Sequence, residues 1–482
     1  MKSLKRKVFN GIAWRSSADF GQMILLIAFT AVLARLLNRA DFGLVAMALL
    51  VNRFIRSITQ IGFGTAIIQS QEVTEAKISA VFIIQVGINF LVSLICFLGA
   101  PLAAIFFNEP RLEQIIRVLA WLIVIDSLGF PTILMKKKVR FGGISILEIS
   151  SMVAGNIVGI YLALKGFGAW ALVFRLLTQH ILSSTIIWSI VKWRPVWPDF
   201  KGIGKLFRFG IHMLGSNVCY YFSQNLAAII IGKFIGLEML GSFNIAYNLA
   251  ILPAQKISSV LSSVLTPAFC QIQQDLNKLR EKFFASIFSL GFLYIPLMMG
   301  LSAVAQNFII VVYGEKWKEA GLFLTFLALL GMLKGIEHLL RSVIIARGWS
   351  SVIFKITVAE TVASIPLLFL GSYYFGVMGL IIAYMIASFF SFFLNVRAAQ
   401  NSLDDKRIFF RAIFSSFGAS CAFYFLVLGY HLFFPKASLI NLIIQIGVGA
   451  LVYIGIRLKI MTNKERSIFR SFPLISLVFA QK

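Results

Sequence analysis

Residues 79–107 of this 482-residue chain contain no Asp, Glu, Lys or Arg. As a helix, such a run is longer than the roughly 30 Å hydrocarbon core of a bilayer. Apolar runs of this kind recur near 11–36, 42–68, 79–107, 114–135, 145–164, 168–191, 209–232, 240–268, 284–312, 320–346, 351–371, 376–396, 409–431 and 438–458. Short connections join them, and none is long enough for a folded extramembrane domain. Strands of a membrane barrel would be about 10 residues long with alternating apolarity, so these spans are read as helices. With 59% hydrophobic and 13% charged residues, the chain cannot cover itself with a water-soluble surface. The expectation is an all-α integral membrane protein with about 14 transmembrane helices.

The longest connection, residues 191–208, lies near the midpoint and suggests two six-helix halves. The expected organisation is an N lobe (residues 1–200, spans 1–6), a C lobe (201–400, spans 7–12), and spans 13 and 14 with a tail (401–482). Weak internal repeats support duplication. An offset of 198 lays Arg35 on Lys233, Leu37 on Ile235, Gly43 on Gly241, Met47 on Ile245 and Ala48 on Ala246. An offset of 208 lays Phe167-Gly168 on Phe375-Gly376 and Leu172 on Leu380. The basic start MKSLKRK is followed by Arg15 and Asp19, which fits a first transmembrane helix better than a cleaved signal. The terminal apolar piece FPLISLVFA is too short to cross and is read as surface-lying or loose.

A net charge of +26 often signals nucleic acid, but here the cations are dispersed over short loops, which excludes that reading. With the N-terminus inside, inner segments and span ends hold 29 Lys and Arg, against 9 on the outer side. Cytoplasmic loops are expected to carry this excess, and both termini then lie in the cytoplasm. The cluster Lys136, Lys137, Lys138 and Arg140 is read as an orientation signal, with anionic lipid headgroups as the alternative.

Seven cations remain inside spans: Arg15, Arg53, Arg56, Arg175, Lys256, Lys334 and Arg341. The clearest acids at such depth are Asp19, Asp126, Glu337 and Glu360. A charge in hydrocarbon costs about 3 kcal/mol on insertion scales unless it meets water or a partner. The excess of deep cations therefore points to a polar interior that receives an anion. In the second span Asn52, Arg56 and Gln60 share a face with Arg53 beside it, and Asp19 or Asp126 can neutralise one arginine. Arg15 and Asp19 are four apart and can pair. In the tenth span Lys334, Glu337, His338 and Arg341 form a continuous helical stripe, either a helix-joining seam or a ligand- or proton-handling face. Asn217, Tyr220, Tyr221, Gln224 and Asn225 make a polar face in the seventh span. Amides and hydroxyls suit sugars, and guanidinium groups suit phosphate.

Catalytic signals are weak. There is no Walker motif, GxSxG or metal-spaced His/Cys set, and His180, His212, His338 and His431 are scattered. Cys96, Cys219, Cys270 and Cys421 are far apart, without a CxxC, and are read as buried small side chains. Neither an enzyme, a metal site nor a cofactor is expected.

The segments VFNGIAWRSSADFGQMI, ARLLNRADFGLVAMA, GFGTAIIQ, GKFIGLEMLGSFNIAYNLAILPAQ and GFGAWALVFRLL resemble the polysaccharide transporter family. That family belongs to the multidrug/oligosaccharidyl-lipid/polysaccharide (MOP) exporter superfamily. The resemblance implies a two-lobed bundle around a cationic cavity that opens alternately to either side. The implied substrate is an undecaprenyl-pyrophosphate-linked oligosaccharide, moved outward across the bacterial inner membrane. Its implied partners are membrane lipids and other polysaccharide-assembly proteins. By location, Arg15, Arg53, Arg56 and Lys256 would meet the pyrophosphate, with Lys334 and Arg341 as further cavity cations. Coupling to H+ or Na+ is possible in such a family. Asp19, Asp126, Glu337 and Glu360 could serve it, with Asn52, Asn217, Gln224 and His338 as cavity polar groups. The alternatives are a MATE-like ion-coupled exporter, whose cationic ligands want an acidic chamber, and a membrane glycan polymerase or ligase, which usually carries a large outer loop.

Overall fold

The computed structural model describes residues 2–59, 74–137, 141–200, 218, 221–260, 265–434, 436–461 and 465–466. In the first helix the described side chains begin at Ala18. Among the described residues all regular structure is helical. The chain divides into two compact units, Met1–Asn244 and Ile245–Lys482.

The first unit contains α1 (Lys2–Leu36), α2 (Arg39–Thr59), α3 (Glu75–Phe107), α4 (Arg111–Leu128), the short α5 (Pro131–Lys137), α6 (Phe141–Leu164) and α7 (Ala169–Ile190). Residues 221–230 form α8, which ends in a π-helical turn, Ile231–Ile235. The unit boundary falls inside α9 (Leu237–Val260). The second unit continues with α10 (Thr266–Gln271), α11 (Leu276–Tyr313), α12 (Lys318–Ala346), α13 (Ser350–Leu403), α14 (Ile408–Phe433) and α15 (Leu439–Ile460).

Local chemistry explains the ends. The Thr74 hydroxyl accepts from Lys77 N before α3, the Asp275 carboxylate from Lys278 N before α11, and the Ser438 hydroxyl from Asn441 N before α15. Such caps satisfy amides that a helix start leaves without partners. α13 is two helices in succession. Gly376 breaks it at φ 58°, ψ −143°, and the chain doubles back so that Gly371 and Gly379 meet backbone to backbone. Gly168, before α7, has φ 54°, ψ −132°. The two glycines related by the 208-residue offset thus share a conformation that a side chain would strain.

Nine helices among the described residues are long and apolar enough to cross a membrane, α13 counting once. The expected spans 42–68, 209–232, 240–268 and 409–431 fall on α2, α8, α9–α10 and α14, where the described helix is shorter or more charged. On α3, Leu91, Ile95, Leu98, Leu102 and Ile105 form a stripe 60–72% exposed, a lipid-facing surface rather than a water-facing one.

α4 is the spine of the first unit. Asn52 Nδ2 of α2 donates to Leu119 O at 2.9 Å. From α3, Asn89 Nδ2 donates to Ile123 O and Ser93 Oγ to Ala120 O. From α7, Ser184 Oγ donates to Ile125 O and Trp188 Nε1 to Leu128 O. Without water, buried side-chain donors must find such acceptors, and helix carbonyls have a spare lone pair. At the other end of α2, a Cβ on Gly43 would run into the Leu237 carbonyl, and one on Gly241 into the Arg39 carbonyl. In the second unit, α11 and α12 are joined by Tyr294 Oη to Gly331 O at 2.6 Å and Ser302 Oγ to Thr325 O at 2.6 Å. Gly335 leaves room for the Tyr294 ring.

Candidate functional site

Two charged clusters sit within the helices, one in each unit. In the first, the Asp126 carboxylate of α4 is shared between two helices. Its Oδ2 lies 2.6 Å from Arg56 Nη1 of α2, and its Oδ1 lies 2.5 Å from His180 Nδ1 of α7. Arg56, Asp126 and His180 side chains are 35%, 21% and 29% exposed, so all three are partly accessible. Arg53, one residue from a full turn before Arg56, is exposed. The cluster is held from both sides by the α2–α4 and α7–α4 hydrogen bonds described above. His180, Ser184 and Trp188 follow one another at helical spacing, and all three reach α4. In the same unit, Gln22 Nε2 of α1 donates to Glu148 Oε2 of α6 at 3.2 Å.

The second cluster joins α12 to the first arm of α13. Lys334 Nζ lies 2.5 Å from Glu360 Oε1 and 3.4 Å from Glu337 Oε2. Arg341 Nη2 is 4.0 Å from Glu337 Oε2. The two glutamates and Lys334 are deeply buried, and Arg341 is 22% exposed. Two cations and two carboxylates balance, so this cluster carries no net charge of its own. His338 lies partly buried beside it and accepts from Ser342 Oγ through its backbone carbonyl.

The remaining expected site residues lie on several helices. Asn52 is buried and its amide donates to α4, so it acts as a helix tie. Asp19, Gln224 and Lys256 are partly buried on α1, α8 and α9. Asn217 and the Arg15 side chain lie outside the described residues. Among those residues no group of three His, Cys, Asp or Glu could hold a metal ion.

Three features escaped the sequence reading. His180 joins Asp126 across 54 residues, although its i, i+4, i+8 polar stripe was visible. Glu148 is tied to Gln22. Arg457, counted in sequence with the inner-side tail charges, is fully buried. Its guanidinium meets Glu465 at 3.2 Å and stacks over Phe288 and Phe292, with ring-centroid distances of 5.0 and 5.9 Å.

Comparison with known proteins fits this architecture. Residues 32–322 match the family described as polysaccharide biosynthesis protein. The lipopolysaccharide biosynthesis protein WzxC of Escherichia coli K12 is 26% identical over 83% of either chain. The succinoglycan biosynthesis transport protein ExoT of Rhizobium meliloti is 26% identical over 67% of this chain and 66% of its own. Among solved structures, the lipid II flippase MurJ in an inward closed conformation superposes with a TM-score of 0.73 at 15% identity, covering 92% of this chain and 97% of that one. At that identity the likeness shows the fold, an all-helical membrane architecture. With more than half of its length matched by the family model, the chain belongs to the polysaccharide biosynthesis protein family.

Proposed function

We propose that this protein is a flippase that carries a lipid-linked oligosaccharide from the cytoplasmic to the periplasmic leaflet of the bacterial inner membrane. Both termini are placed in the cytoplasm in this reading, which the charge imbalance of the loops supports. Access to the headgroup site alternates between the two faces, and the isoprenoid tail stays in lipid. The observation that carries this reading is the Arg53–Arg56 pair, a cationic feature inside a multi-helix chain of a polysaccharide family. A guanidinium can grip a phosphoryl group with paired, charge-assisted hydrogen bonds. Arg15 and Lys256 are the other cations proposed for the diphosphate. Export of cationic small molecules is the weaker reading, because Asp126, Glu337 and Glu360 are each engaged by a cation.

The test is complementation. In a strain whose surface polysaccharide depends on this chain, Arg53→Ala with Arg56→Ala abolishes the polymer while membrane protein level is unchanged, and Lys at both positions restores part of it. Undiminished polymer in the double Ala variant would contradict the proposal.

A further inference from the structure

Asp126 occupies the guanidinium that an incoming phosphoryl group would need. The same carboxylate is held on its other oxygen by the imidazole of His180. Resting on the function proposed above, we propose that Asp126 is a proton-linked placeholder: it neutralises Arg56 when the site is empty, and transfers to His180 when His180 takes up a proton, which removes this carboxylate's competition with the diphosphate for Arg56.

The proton balance is simple. In the tautomer that lets the carboxylate accept, Nδ1 carries the hydrogen and Nε2 is left to receive one. A proton from solution adds to Nε2 and makes an imidazolium, whose Nδ1–H remains bonded to Asp126 Oδ1. The charges of His180 and Asp126 then cancel, and Arg56 keeps its full charge for the anion. Loss of that proton returns the carboxylate to Arg56 and weakens the hold on the phosphoryl group. Anion binding and proton uptake therefore favour each other, and by linkage each must strengthen the other equally.

The surroundings permit this exchange. The charged groups on elements packed against α4 and α7 are Arg39, Asp41, Arg53 and Arg56 of α2, Glu75 and Lys77 of α3, Lys136 and Lys137 of α5, and Glu148 of α6. α7 itself also carries Arg175, whose stem packs on Gly159 of α6. α3 meets α4 here through the neutral Asn89 and Ser93. Glu148 accepts from Gln22. Only Asp126 bridges a guanidinium and an imidazole among the described ion pairs.

The experiment is calorimetry on the full-length protein in lipid nanodiscs, with geranylgeranyl diphosphate and inorganic diphosphate as probes. Titrations near pH 7 in two buffers of different ionisation heat give the protons taken up per ligand. Wild type should take up about half a proton more than His180→Gln, and its affinity should fall by roughly tenfold more between pH 6 and pH 8. The comparison removes the probe's own titration, which is common to both proteins. Asp126→Asn, which keeps the side-chain shape, should bind more tightly and lose the same pH dependence. Extra uptake with both probes, or with the lipid probe alone, supports the proposal; the first places recognition on the headgroup and the second requires the chain as well. Equal uptake in wild type and His180→Gln overturns it, as does an unchanged pH dependence in Asp126→Asn. If Arg56→Ala keeps full affinity, the anion-site reading itself fails, whatever the proton count shows.

Discussion

Gly43 of α2 and Gly241 of α9 make a reciprocal contact: Gly43 abuts Leu237, and Gly241 abuts Arg39. The 198-residue offset carries Gly43 to Gly241 and Arg39 to Leu237, so the contact maps onto itself. That self-complementarity is the mark of a local twofold axis, as at an isologous dimer interface. Duplication is thus written into backbone packing at this crossing, beyond the faint sequence echo.

The crossing has no room for a side chain. Gly43→Val or Gly241→Val should each lower stability by roughly 1–3 kcal/mol, the usual cost of overpacking. Thermal unfolding in detergent, read by size-exclusion recovery, should show both variants melting earlier than Gly21→Ala, where nothing lies within 4 Å of an added Cβ. Equal melting of all three would place the crossing elsewhere.

The balance at Lys334 makes a different prediction. Removing one member of a buried ion pair strands a charge and costs about 3–5 kcal/mol, whereas removing both is far milder. Lys334→Met alone should therefore reduce the folded yield sharply. Lys334→Met combined with Glu360→Gln should recover most of it. A double variant worse than the single one would mean that the cation serves something other than the two carboxylates.

Near the end of the chain, Arg457 is enclosed by Phe288, Phe292 and Glu465. Its guanidinium sits over both rings while meeting Glu465, a set of contacts for which a planar, delocalised cation is better suited than an ammonium. Arg457→Lys should destabilise α15 nearly as much as Arg457→Ala. Limited proteolysis after residue 460 should then proceed faster in both variants than in wild type. Protection equal to wild type in Arg457→Lys would show that charge alone suffices there.

The arginines of the second unit that cap α13 are equally specific. Arg280 donates from Nε to Leu403 O at 2.7 Å and from Nη2 to Asp404 O at 2.7 Å. Arg347 donates from Nε to Ser402 O and from Nη1 to Gln273 O. A helix C-terminus leaves carbonyls open and carries partial negative charge, which cations complement. Arg347→Ala should cost about 1–3 kcal/mol, with Arg347→Lys recovering little. Hydrogen exchange at residues 400–405 would report the loosening, and unchanged protection there would contradict the capping role.

How much of this was readable in the sequence depends on the range of each signal. Apolar length is local, so α3, α6, α7, α11 and the two arms of α13 coincide closely with expected spans. The glycine at 376 separated two of those spans because no residue with a Cβ adopts its backbone readily. Pairings between helices were another matter. Glu337 and Arg341 share a helix and do pair, at 4.0 Å, but the shorter contact, Lys334 to Glu360 at 2.5 Å, reaches the next helix and had no local signal. Asp126 was a candidate to neutralise an arginine, but hydropathy carries no information on which one, nor on His180. Arg457 read as a tail charge because it follows an apolar run and precedes Lys459. Only the packing of α11 against α15 buries it.

As a flippase of the kind proposed, this chain would move a diphosphate-linked lipid across a membrane through a site containing Arg56. The direct measurement is translocation by the purified protein in liposomes. A fluorescent isoprenyl-diphosphate oligosaccharide is placed in both leaflets, and reduction by a membrane-impermeant quencher reports which leaflet it occupies. Vesicles with wild-type protein should expose the inner-leaflet pool to the quencher, and vesicles with Arg56→Ala should behave like protein-free ones. Wild-type vesicles that protect half of the lipid for as long as empty vesicles do would contradict it.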